Sequence, residues 1–205
     1  PTRLASEAGP AQVRLRWAPS ADDVAVAGYE VLRDGQVVAT VQEPTASETG
    51  LPAAVASCYT VRAYDAAGNR SAPAGPVCAT PPDVTPPSVP EDLSASAASE
   101  TEVLLRWSPS TDDVGVAGYE VFRGEVLVSG TGLTRASEWG LRPATTYCYA
   151  VRAHDAAGNR SPRSRAACIT TPDLTPPTTP ESATTEIYTL SQHGTAPISS
   201  TDNVG

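Results

Sequence analysis

Residues 64–78 read "YDAAGNRSAPAGPVC", and residues 154–168 read "HDAAGNRSPRSRAAC". The same polar turn stands twice, each time at the same distance from a cysteine. The stretch "DAAGN" is a chain reversal, because glycine adopts positive φ without penalty and asparagine tolerates it. Cys58 and Cys78 lie equally far from Gly68, and Cys148 and Cys168 equally far from Gly158. A hairpin folded at each glycine sets the two cysteines opposite one another, within disulfide reach if no bulge shifts the register. The expected bonds are Cys58–Cys78 and Cys148–Cys168, each closing a loop of about 20 residues and contributing roughly 3 kcal/mol on the chain-entropy account. Two other readings stand beside this one. A zinc site calls for C-x-x-C spacing or neighbouring histidines, which these cysteines lack. Reduced thiols can also pack as small hydrophobes. Disulfides imply an oxidising compartment.

Working outward, Trp17 of "VRLRWAPSADDVAVAGYEVLR" aligns with Trp107 of "VLLRWSPSTDDVGVAGYEVFR", and Gly68 aligns with Gly158 at the same interval. A constant period of this size means two copies of one structural unit. The join "TPPDVTPPSVP" (80–90) is rich in proline and recurs as "TTPDLTPPTTP" (170–180). The expected organisation is module 1 at 1–82, module 2 at 83–172, and a connector with an incomplete third repeat at 173–205. That third repeat ends in "STDNVG" and has Pro197 where the tryptophan should stand, and proline in a central strand removes a ladder bond. Within it "TTEIYTL" (184–190) alternates like a strand. It is expected either to be an unstructured tail or to pair with the edge of another chain.

Each unit reads as strands. In "EVLLRWS" Val103, Leu105 and Trp107 alternate with polar or outward residues at period two. In "TTYCYAVRAHD" Tyr147, Tyr149, Val151 and Ala153 share a face, with Cys148, Ala150, Arg152 and His154 on the other. The dipeptide "DG" at 34–35 is a strong hairpin signal. Outward cross-strand pairs Glu30–Arg62 and Glu120–Arg152 are expected, each worth a few tenths of a kcal/mol.

Composition excludes several classes of function. The 205 residues carry a net charge of −9 and every basic residue is arginine, so no basic patch suits a nucleic-acid backbone. No apolar run approaches the roughly 18–20 residues that span a bilayer. The sequence starts at Pro1 without a methionine, so it is expected to derive from a longer precursor.

These residues resemble the fibronectin type III family, in particular the modules attached to bacterial secreted glycan-degrading enzymes. The marks are the strand tryptophans Trp17 and Trp107, "AGYEV" (27–31 and 117–121), "LRPATTY" (141–147), "VRAYDAAGNRS" with "VRAHDAAGNRS", and the "TPP" connectors. The resemblance covers residues 1–172 almost completely. It implies an all-β chain of tandem seven-stranded immunoglobulin-like sandwiches, each closed around its tryptophan. It also implies a tyrosine corner at Tyr147, with its hydroxyl bonded near Leu141 and Pro143. Module 1 departs here, with Ser57 in place of that tyrosine.

The resemblance implies a non-catalytic spacer that presents other domains of the same precursor outside a bacterial cell. A structural or adhesive filament of like subunits and a weak polysaccharide-binding module are the alternative expectations. Catalysis within the chain is not expected. His154 and His193 have no nucleophile in a matching motif, and Asp22–Asp23 and Asp112–Asp113 are adjacent rather than facing across a cleft. Asp83, Asp112, Asp113 and Asn159 are expected to converge at the module junction, where an oxygen cluster could hold Ca²⁺. The plainer reading has each aspartate capping its own turn, and no other cofactor is expected. Trp139 and Phe122 are the aromatics left for a glycan, although Trp139 is expected to pack against the strand corner.

Overall fold

The alternating apolar positions become strands wherever one face can be buried. A computed structural model describes residues 1–177, and the alternating segment 184–190 lies outside them. Module 1 contains β1 (Thr2–Gly9), β2 (Gln12–Ala18), β3 (Val26–Arg33), β4 (Gln36–Val41), β5 (Thr45–Thr49), β6 (Ser57–Asp65) and β7 (Ala74–Ala79). Module 2 repeats them as β8 (Ser94–Ala97), β9 (Glu102–Arg106), β10 (Val116–Arg123), β11 (Val126–Thr131), β12 (Arg135–Trp139), β13 (Thr146–Asp155) and β14 (Ala167–Thr170). In each module a three-stranded antiparallel sheet faces a four-stranded one. Their orders are β1-β2-β5 and β4-β3-β6-β7 in module 1, and β12-β9-β8 and β11-β10-β13-β14 in module 2. These are tandem seven-stranded sandwiches of the immunoglobulin-like type.

The inward residues of facing sheets make the cores. Val13, Leu15, Trp17, Tyr29, Val31, Tyr59 and Val61 close module 1, and Val103, Leu105, Trp107, Tyr119, Val121, Tyr149 and Val151 close module 2. Trp17 meets Tyr29 edge-on at 5.3 Å between ring centres, and Trp107 meets Tyr119 at 5.4 Å. Such pairs add about 0.5–1.5 kcal/mol beyond the area they bury. The tyrosine hydroxyl is spent as well, accepting the amide of Ser20 at 3.0 Å or of Ser110 at 2.9 Å. Tyr59 lies in the core with its hydroxyl donating to Glu48 at 2.7 Å, and burial followed by that acidic neighbour pushes it up to about 12.

Both disulfides form between the cysteines expected, Cys58–Cys78 and Cys148–Cys168. Cys58 stands opposite Cys78, and Cys148 opposite Cys168, in their ladders. The strands beyond them are irregular, and serine side chains fill the gaps. The Ala153 amide donates to Ser161 Oγ and the Val151 amide to Ser164 Oγ, while the backbones of Ser161 and Ser164 donate to the same two residues' carbonyls. The Tyr147 hydroxyl accepts the Arg142 amide at 2.8 Å, forming the corner. Ser57 takes the tyrosine's place in module 1 and is buried.

The outward pairs also form, and a second arginine joins each, Arg160 standing 3.7 Å from Glu120. Glu30 binds Arg62 and also Arg70, which returns from the "AAGN" turn. Hydrogen bonds from Arg70 and then Arg62 hold the Glu30 carboxyl down at about 2, against an ordinary value of 4.5. A carboxyl depressed on folding favours the folded state above its unfolded value and loses that contribution as pH falls through the folded one. Melting temperature should therefore decline as pH falls from about 4.5 toward 2. Glu30→Gln should flatten that part of the profile, and an unchanged slope in the variant would show that the network does not drive it.

Candidate functional site at the module junction

The connector from Pro81 to Pro90 contains five prolines. Proline fixes φ, donates no hydrogen bond, and pushes the preceding residue toward extended conformations, so no regular element forms there. Its ends are nonetheless fastened. The Ala54 amide donates to the Pro81 carbonyl at 2.9 Å, tying it to module 1. The Ser88 amide donates to the Thr111 carbonyl at 2.8 Å, and the Thr111 amide returns a bond to Ser88 Oγ at 2.9 Å. The Asn159 side chain reaches the Asp83 carbonyl at 3.3 Å. Pro81, Pro87 and Pro90 are buried.

The "DAAGN" turn supplies the platform. Asp155 is 3% exposed and accepts the Asn159 amide at 2.8 Å and its side-chain nitrogen at 2.7 Å. Burial pushes its carboxyl up, but the bonds from Asn159 outweigh this and leave it below the ordinary aspartate value. Asn159 is thereby aimed at the connector with one amide hydrogen to spare. Gly158 has φ of 94° and Gly68 of 90°, the left-handed geometry the reversal requires.

Against this platform Asp83, Asp112 and Asp113 bring one carboxylate oxygen each within 4.8 Å of the others. The plainer reading holds for half of each capping carboxylate. Asp83 Oδ1 accepts the Thr85 amide, and Asp112 Oδ1 accepts those of Val114 and Gly115. Asp112 Oδ2, however, is buried and accepts nothing among the described residues. Two like charges about 4 Å apart repel by about 1 kcal/mol in water, and by several times that near a protein surface. None of the three aspartates joins an ion pair among the described residues. The arrangement offers hard oxygen donors of the kind Ca²⁺ takes.

The glycan candidates fare differently from expectation. Phe122 is buried, covered by the guanidinium groups of Arg163 at 3.9 Å and Arg152 at 5.0 Å, so it presents no ring to a sugar. Trp139 does not pack against the strand corner. It is 69% exposed, because alternation along β12 turns Glu138 inward opposite Val103 and leaves Trp139 outward opposite Glu102. Trp17 and Trp107 lie in the cores, as read from the sequence. His154 is half-buried over Gly118, whose missing Cβ would lie 3.0 Å from the imidazole.

The fibronectin type III domain family matches residues 88–169. Residues 88–169 form a fibronectin type III domain, and module 1 repeats their strand order. Among curated proteins it is 42% identical over 181 residues to Exoglucanase B of Cellulomonas fimi, covering 82% of this chain and 16% of that protein. Chitinase A1 of Niallia circulans is 37% identical over 164 residues, 78% of this chain and 24% of that protein. Endoglucanase B of Cellulomonas fimi is 42% identical over 175 residues, 78% of this chain and 17% of that protein. The chain therefore spans less than a quarter of the length of these relatives. Sequence reasoning missed the Asp155–Asn159 lock and the Ser88–Thr111 exchange. The spacing of Asp and Asn in "DAAGN" was a usable signal for the first, and nothing local marks the second.

Proposed function

We propose that this chain is a non-catalytic spacer that positions the other domains of a larger extracellular bacterial protein acting on a polysaccharide. The observation that carries the reading is the fastening of the connector at both ends, to Ala54 on one side and to Thr111 and Asn159 on the other. A proline-rich linker extends by about 3 Å per residue and acts as a semi-rigid spacer. Side-chain anchors at its ends add a defined start and finish. The names of the relatives support a glycan-degrading parent, and the disulfides support an oxidising location. The exposure of Trp139 favours a second reading, a weak contact with the polysaccharide itself.

The two readings separate in the full-length parent. Replacing residues 1–177 with a Gly/Ser linker of equal residue count should leave turnover of a soluble oligosaccharide unchanged while activity on the insoluble polymer falls severalfold. Equal activity on both would contradict the spacer role. If Trp139→Ala alone reproduced the loss, the role would pass to glycan contact.

The junction is further proposed to take Ca²⁺ through Asp83, Asp113 and the unpartnered oxygen of Asp112, stiffening the pair of modules. A ligand present at about 100 times its dissociation constant stabilises by about 2.7 kcal/mol. Millimolar Ca²⁺ should raise the melting temperature relative to chelator, and Asp113→Asn should abolish the rise. The same melting curve in Ca²⁺ and in chelator would end the idea.

A further inference from the structure

The surface that receives the connector in module 2 exists in module 1 as well, and there it is open among the described residues. A cleft of about 190 Å³ is lined by Ser20, Asp22, Tyr64, Asp65, Asn69 and Ser71, among others. Ninety positions on, the matching residues are Ser110, Asp112, His154, Asp155, Asn159 and Ser161. Ser110, Asp155 and Ser161 are buried, at 8%, 3% and 4% exposure. Ser20 and Asp65 are only half-buried, and Ser71 is exposed. The internal bonds of the two surfaces are the same. Asp22 Oδ1 accepts the amides of Val24 and Ala25, as Asp112 does those of Val114 and Gly115. Asn69 is locked to Asp65 at 2.8 and 2.6 Å, as Asn159 is to Asp155.

The groups that differ are those the connector uses. Thr111 exchanges both of its backbone bonds with Ser88. Its counterpart Ala21 makes no hydrogen bond through either its amide or its carbonyl among the described residues. Asn159 gives an amide hydrogen to the Asp83 carbonyl, whereas among the described residues the Asn69 side chain donates only to Asp65. The entry of the chain also matches: Arg3 has φ of 53°, and Asp92, eighty-nine positions on because module 2 has one residue more before its tryptophan, has 54°. One wall of the cleft differs in a telling way: Tyr64 replaces His154, and aromatic rings are the surfaces on which extended proline segments dock.

We infer that this cleft of module 1 is a docking site for an entering connector of the Asp-x-Thr-Pro-Pro class, running into module 1 as residues 83–90 run into module 2. The occupant is a connector of that class joined directly ahead of Pro1, in the register that residues 81–89 hold ahead of Pro90. Its serine pairs with the backbone of Ala21, the carbonyl of its aspartate accepts from Asn69, and its prolines lie against Tyr64. The inference rests on the docking at Ser88 and Asn159 and does not depend on the spacer reading or on calcium.

The test joins "PPDVTPPSV", the sequence of residues 81–89, ahead of Pro1 of the full chain. Amide hydrogen exchange is then read at Ala21 against the chain without the extension and against one whose extension is all glycine and serine. The matched extension should slow exchange at Ala21 by about tenfold or more, because a new hydrogen bond must open before exchange. The Gly/Ser extension should not. Equal exchange in all three chains overturns the proposal. Protection in the unextended chain that grows with protein concentration also overturns it, because the occupant would then be a second copy's connector. Val61 and Tyr59 amides, deep in the ladder, report in the same spectra that every chain is folded.

Discussion

The contact on which each module depends is the edge-on packing of one indole against one tyrosine between two sheets. Trp17 and Trp107 sit at the ends of β2 and of the β9 segment, and Tyr29 and Tyr119 on the facing sheet. The ring faces hold the layers together, and the hydroxyl is not idle. By accepting the amide of Ser20 or Ser110 it fixes the start of the aspartate loop at the module's end. Core packing is thereby coupled to the surface where a connector docks.

That coupling explains why so short a connector can be fastened without secondary structure. Proline removes the amides that a strand would need, so the linker cannot join a sheet. It relies on isolated anchors: the Pro81 carbonyl, the Asp83 carbonyl, and the amide and hydroxyl of Ser88. Each anchor meets a group already immobilised by its own module. The entropy cost of ordering the partner has been met by the fold, so only that of the linker remains.

Much of the fold was legible because the signals were local or repeated. Period-two alternation gave the strands, the spacing about Gly68 and Gly158 gave the disulfides, and the ninety-residue offset gave the module count. The convergence of Asp83, Asp112 and Asn159 was legible from the fold the motifs imply. Trp139 was misjudged because its direction depends on which residue of β12 faces Val103, a matter of register that no local pattern states. Phe122 was misjudged because the nearer of its two covering arginines, Arg163, arrives from an irregular stretch 41 positions away. The Ser88–Thr111 exchange was invisible because neither residue type announces a partner.

The proposed spacer role requires that the fastened connector set one module in a defined position relative to the next. Pulsed electron–electron spin resonance between nitroxides placed at exposed sites on β4 and β11 measures this directly. The account predicts a single narrow distance distribution that broadens when Ser88 and Asn159 are both replaced by alanine. A distribution already broad in the unaltered connector, and unchanged by those replacements, would contradict it.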